Sequence, residues 1–269
     1  MSALKNTSVY DRCVFCDVPL TSSQKQRLSS RTEEHVFARW FRDDIVNRNI
    51  KMFTATLGEA PILQRQPPLE TLVNSRVCRE CNNGWMSTME ESVAPVIRGI
   101  TSGRNIECLS KPEIELLARW TGKTAVVLSH VTPQLQRVPM QASKSLHPRS
   151  EHPKLRFFYS KIEAHSTLEC GFLQLVYGSE IGLVGTDELP GTRITLCLHN
   201  HLLTVDFPPI AEGIFYNLDE SCSARLWPSH IPAGLDTPKI NFTAAIGEFL
   251  YAVCASVKVG FRLNVRSGN

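Results

Sequence analysis

No stretch of this chain comes near the roughly 20 consecutive apolar residues that a helix needs to cross a bilayer. Its opening residues, MSALKNTSVYDRC, lack the apolar core of a secretory leader. With neither feature present, the expectation is a cytoplasmic protein that makes no membrane contact. Internal repeats and low-complexity tracts are missing, so a repeat architecture is excluded. Gly-rich phosphate loops are missing as well, which removes the usual nucleotide-binding folds. Neither a helix-turn-helix nor a basic helix can be read, so any contact with DNA would lack a dedicated sequence-reading element.

What is present is an ordinary globular composition, 42% hydrophobic and 20% charged over 269 residues. That length holds one large domain or two modest ones. The net charge of +3 is unevenly spread. Residues 1–155 carry 21 Lys and Arg against 15 Asp and Glu, whereas residues 156–269 carry 8 against 11. A basic front half points to a polyanionic partner there, and an acidic back half favours protein contacts.

The hydrophobic pattern divides the chain in a similar place. Val36, Trp40 and Ile45 predict a short helix, and residues 54–70, with Gly58, Pro61, Pro67 and Pro68, read as an irregular insert. A second helix is expected from the Cys78 pair onward, along Trp85, Met89, Val93, Val96 and Ile100, with Pro95 bending or breaking it. Ser110 and Glu113 form a capping box that opens a third helix. Residues 131–153 read as a linker. Beyond them lie strand-like runs at 155–160, 172–178, 194–199, 202–207 and 224–228, separated by turns, which argues for an antiparallel sheet. A closing helix is expected from Asn241 along Phe242, Ile246, Phe249, Val253 and Val257 to Gly260. The expected fold class is α+β, with residues 1–130 as one part and 150–269 as a β-rich second part.

Nine cysteines include two C-x-x-C pairs, Cys13/Cys16 and Cys78/Cys81. Each such turn aims two thiolates at one centre, and two turns complete a tetrahedral zinc site. With four sulfur ligands no position stays open for substrate, so this Zn²⁺ would be structural. Neither pair has the βαβ context of a redox motif. The other five, Cys108, Cys170, Cys197, Cys222 and Cys254, read as small core residues.

The 61 residues between the pairs are too many for a compact ribbon, and they contain Glu33-Glu34-His35. The run C-x-x-C … E-H-V-F-x-x-W … C-x-x-C-N-N-G-W-M-S resembles the HNH endonucleases of the zinc-bound, treble-clef kind, closely over residues 13–90. The segment ELLARWTGKTAVVL (115–128) resembles more loosely one that follows the module in some bacterial relatives. The resemblance implies a ββα-metal module with His35 as general base. It also implies Glu34 and Asn82 as ligands of a catalytic Mg²⁺ or Mn²⁺, and Asn74 as the residue that orients the histidine loop. The chain has Glu where the commonest pattern has Asp, and Asn where it has His, and both changes keep oxygen donors.

The residues themselves fit that chemistry. Phosphodiester hydrolysis needs a base to activate water and a cation to stabilise charge on the phosphate. Arg39, Arg42, Arg76 and Arg79 flank the motif and are candidate phosphate contacts, which confer affinity without sequence preference. The expected activity is endonucleolytic cleavage of double-stranded DNA before RNA. The rival expectation is a non-catalytic zinc module that binds nucleic acid or protein, as a subunit of a defence or mobile-element complex. Trp85, Lys123 and Thr124 read as structural, and His199 with His201 as a remote second metal candidate.

Overall fold

The computed structural model describes residues 12–20, 31–44, 49–56, 60–131, 135, 137–150, 155–162, 170–177, 191–207, 214–218, 224–227, 239–240 and 257–261. It is a mixed α+β structure with a large sheet and several helices. Among the described residues, no helix is long and apolar enough to cross a membrane.

Strand β1 (Arg31–His35) is followed by helix α1 (Arg39–Asp44) and strands β2 (Lys51–Thr56), β3 (Ile62–Arg65) and β4 (Val73–Cys78). β1 and β4 form an antiparallel pair of their own, with Glu34 opposite Asn74 and His35 opposite Val73. β2 and β3 instead leave for the large sheet. Residues 54–70, read from their prolines as an irregular insert, thus contain the end of β2 and all of β3. Pro61 and Pro67 lie just outside β3, where a missing backbone donor breaks no ladder.

Directly after β4 the chain turns helical. The single turn α2 (Arg79–Cys81) runs into a widened turn over Asn82–Met86 and then into α3 (Ser87–Thr101). Gly84 departs from helical backbone inside the widened turn, with φ −95° and ψ −113°, so the helix is kinked there. Pro95, expected to bend or break the helix, sits within α3, which continues to Thr101. α3 buries Met89, Val93, Val96, Ile97 and Ile100, the three- and four-residue spacing of one helical face.

Helix α4 (Lys111–Ser129) is the central helix. Its start is fixed as the sequence predicts: the Glu113 carboxylate accepts from Ser110 N and Oγ, both at 2.8 Å. From Trp120 to Ser129 every residue is buried, because α3 packs on one side and the sheet strands on another. Helix α5 (Met140–Ser145) lies inside the segment read as a linker.

The remaining strands are β5 (Arg156–Ile162), β6 (Cys170–Tyr177), β7 (Gly191–Leu198), β8 (His201–Phe207), β9 (Ile214–Leu218), β10 (Ala224–Trp227), β11 (Lys239–Ile240) and β12 (Val257–Phe261). The large sheet has the order β10–β5–β8–β7–β6–β2–β3, with β11 also on β5, and β9 pairs with β12 separately. It is antiparallel except where β2 meets β6 and β11 meets β5. Every residue of β7 and β8 is buried. The β2–β6 pairing carries the sheet across the boundary that composition drew between 130 and 150.

Two further expectations need correction. Val257 and Gly260, read as the end of a closing helix, belong to β12; the rest of that expected helix, 241–256, lies outside the described residues. Alternating Val257, Val259 and Phe261 satisfy a strand period that helical counting had absorbed. Cys108, read as a core residue, is exposed, whereas Cys197 is buried as expected.

Gly122 shows how tightly α4 is seated. A Cβ there would lie 2.8 Å from Leu155 Cδ2 and 3.0 Å from Leu146 Cδ2, both in the core. Gly122→Val should therefore destabilise the fold by about 1–3 kcal/mol through overpacking, read as a lower midpoint in urea with an unchanged slope.

Candidate metal centre and adjoining site

The four paired cysteines come together as the spacing predicts. The Sγ atoms of Cys13, Cys16, Cys78 and Cys81 all lie within 4.8 Å of one another. Two local turns and one strand pairing produce this. Cys13 N donates to Val18 O and Asp17 N to Cys13 O, both at 2.9 Å, which closes the first knuckle, and Asp17 takes a positive φ of 63° to do so. Val14 N donates to Arg76 O at 3.0 Å, laying that knuckle against β4. In the second knuckle Cys78 ends the strand and Cys81 ends the first helical turn, with Cys81 N donating to Cys78 Sγ at 3.4 Å.

The donor chemistry fits zinc. Cys16 Sγ and Cys78 Sγ are 3.6 Å apart, close to the ~3.8 Å edge of a tetrahedron with Zn–S bonds of about 2.3 Å. Hydrogen bonds from Cys16, Cys78 and Cys81 hold the Cys13 thiol below its ordinary range. Cys13 and Cys16 in turn push Cys78 and Cys81 up. Four sulfurs this close cannot all ionise unaided, and a divalent cation at their centre resolves that conflict. Three of the four are buried and Cys16 is exposed. The cluster can hold a metal ion such as zinc.

The residues expected to carry chemistry lie on β1, on its partner β4 and on the helical segment that follows the second knuckle. Glu34 and His35 are consecutive on β1, so their side chains leave opposite faces of the strand. His35 is exposed, while Glu34 is buried at 6% exposure. Glu34 Oε1 accepts from Lys123 Nζ at 3.2 Å, and Glu90 Oε1 accepts from the same ammonium at 2.5 Å. Burial pushes the Glu34 carboxyl above its usual range, with Lys123 opposing. Burial also works against the Lys123 ammonium, but the two carboxylates outweigh it and hold its pKa above the ordinary lysine value.

Asn82 follows Cys81 at the start of the widened turn and is half-buried. Asn74 is buried at 2% exposure; its Nδ2 donates to Val127 O at 3.1 Å, and its Oδ1 accepts from Arg76 N at 2.7 Å. Among the arginines, Arg39 and Arg79 are exposed and Arg42 is half-buried. Arg76 turns towards α4, where its Nη1 lies 3.1 Å from His130 Nδ1. Trp85 is half-buried, edge-on to Phe15 at 5.3 Å. In the sheet, buried His201 has its Nδ1 2.7 Å from the Tyr159 hydroxyl, and His199 sits in the preceding hairpin turn with a positive φ of 53°.

Glu90 went unnoticed in the sequence because a helical glutamate is ordinarily solvated. The available signal was Lys123 itself. A lysine inside the apolar run ARWTGKTAVVL has to be paired once that helix is buried on all sides. Compared with family models, curated proteins and solved structures, the chain matches none.

Protein purified without added zinc should contain about one equivalent of metal per chain. Cys81→Ser should lose most of it together with cooperative unfolding, followed by metal analysis and circular dichroism. A second expectation concerns His130, whose pKa burial lowers to about 3, with Arg76 and Arg137 adding to the effect. The unfolded chain binds this proton near pH 6.5 and the folded one only near 3, so stability should fall as pH drops through that window. His130→Gln should flatten the slope in urea unfolding measured between pH 6.5 and 4.

Proposed function

We propose that the chain is a metal-dependent nuclease of the HNH type that hydrolyses phosphodiester bonds in DNA, with His35 as general base. One observation carries this reading. A strand ending in exposed His35 pairs with a strand ending in Cys78, and a helical segment bearing Asn82 follows at once, with Cys78 and Cys81 at that junction in the four-cysteine cluster. That strand–strand–helix order is the one a zinc-bound treble clef of ββα-metal type requires, and the resemblance over residues 13–90 gives the same order.

His35 stands at the end of its strand, open to water and to a substrate. An imidazole there can take the proton of an attacking water. Exposed Arg39 and Arg79, on α1 and α2, are available to hold phosphate oxygens and orient the backbone of the substrate. A bound Mg²⁺ or Mn²⁺ would stabilise charge on the phosphate and the leaving oxygen. Of the two ligands expected for it, Asn82 offers an amide oxygen. Glu34 as oriented does not fit, since an ammonium sits 3.2 Å from its carboxylate. Among the described residues, the four cysteines are the one cluster of three or more His, Cys, Asp or Glu ligands, so a catalytic cation would rely on water and phosphate for most of its shell.

The inward turn of Glu34 also favours a second reading, a zinc-stabilised module that binds nucleic acid without cutting it. Plasmid DNA and single-stranded RNA incubated with the full-length protein, with and without Mg²⁺ or Mn²⁺, separate the two. Cleavage should require the cation, and His35→Ala should reduce it by about 10²–10⁴-fold with zinc content and thermal stability unchanged. Equal cleavage by His35→Ala would rule out the proposed mechanism. Binding that weakens with salt, without any cleavage, would establish the non-catalytic module.

A further inference from the structure

We infer that Glu34, Lys123 and Glu90 form a positioning device, in which one buried ammonium fixes the strand carrying His35 against the helix that begins at Asn82. Glu34 thereby acts through Lys123 and not on a cation. The inference rests on the roles proposed above for His35 and Asn82.

Three elements meet at Lys123. Glu34 immediately precedes His35 on β1, and because strand side chains alternate, drawing Glu34 inward sends His35 out to solvent. Glu90 stands eight residues beyond Asn82 in the same kinked helical segment. Lys123, on α4, donates to both carboxylates, at 3.2 Å and 2.5 Å. The position of the proposed base relative to the proposed ligand is therefore set through one side chain that belongs to neither element.

A second tie repeats the arrangement. Asn74 is the strand partner of Glu34, and its amide donates to the carbonyl of Val127, one helical turn beyond Lys123. Paired positions on β1 and β4 are thus bound to adjacent turns of one face of α4. A strand pair held at two such points can neither slide along α4 nor roll on it.

Other roles for these groups fit less well. Lys123 is fully buried, so it cannot touch a substrate. Stability alone does not explain the triad, because apolar residues of similar volume stabilise a core as well as a buried ion pair or better. What charged groups add is directionality, since only one arrangement of three elements satisfies all three charges. The balance of one ammonium to two carboxylates also makes the contact unforgiving of displacement.

The test follows the His35 ring by NMR at fixed pH in the full-length protein, its signals assigned with His35→Ala. The variants are Glu34→Gln, Glu90→Gln, Lys123→Arg and the neutral triple Glu34→Gln/Lys123→Met/Glu90→Gln, which leaves no buried charge unpaired. Mn²⁺ binding by electron paramagnetic resonance and cleavage of plasmid DNA are measured alongside. Glu90→Gln, although it lies on a different element from His35, should shift the ring signals as Glu34→Gln does. Both should slow cleavage at least tenfold while the Mn²⁺ giving half-maximal binding changes less than twofold. Lys123→Arg should restore part of the rate relative to the neutral triple. Two results would overturn the device: a His35 signal unmoved by Glu90→Gln, or a tenfold weaker Mn²⁺ affinity in Glu34→Gln alone. Absence of cleavage by the unmodified protein would overturn the nuclease reading instead, and the His35 signals of Glu90→Gln would still decide the positioning role.

Discussion

A lysine ammonium withdrawn from water must be matched where it lies, and Lys123 is matched by Glu34 and Glu90. That requirement constrains much of the front of the molecule. The ammonium sits on α4, which is buried from Trp120 to Ser129, and the two carboxylates come from β1 and α3. Strand, helix and central helix therefore cannot be arranged independently. Gly122, next to the lysine, admits Leu146 and Leu155 close to the helix, so the seat of α4 on its neighbours and the burial of the charge are one packing problem.

The four-cysteine cluster acts on the neighbouring elements β4 and α2. It joins a knuckle near the start of the chain to the junction between β4 and α2, and it does so across 61 intervening residues. Those residues include β2 and β3, which are built into the large sheet. The elements around the junction at Cys78 and Cys81 are thus tied twice, by the four cysteines at the junction itself and by the Lys123 triad between β1, α3 and α4. Exposed His35 follows Glu34 at the end of β1, opposite Val73, and half-buried Asn82 follows Cys81 directly. Support of this kind is what a catalytic or binding constellation needs from its surroundings.

Much of the local structure was legible from residue pattern alone. The capping box at Ser110 and Glu113, the strand runs of β5 to β8 and the cysteine spacing all depend on near neighbours in the chain, and each formed where it was read. Two strands were misread. β3 was hidden by flanking prolines that tolerate an edge strand, and β12 by a valine spacing that suits both periods. Each forms because a partner strand supplies its hydrogen bonds, the preceding β2 for β3 and the distant β9 for β12. The site divided in the same way. Its residue types and their order could be read, whereas the direction in which Glu34 points could not.

By itself the sequence determined the chemistry at hand: four thiols in two turns, a histidine beside a carboxylate, an amide just after the second knuckle, and a basic front half. These follow from side-chain identity and from spacings of three or four residues, which a turn or a helix converts directly into geometry. Only the tertiary structure decided which of those groups face water. A lysine 89 residues along the chain turns Glu34 inward, and a sheet assembled from both halves buries α4 around that lysine. The physical reason is that burial of charge depends on every element that surrounds it. No local pattern reports whether a carboxylate will meet solvent, a cation, or an ammonium brought from the far side of the fold.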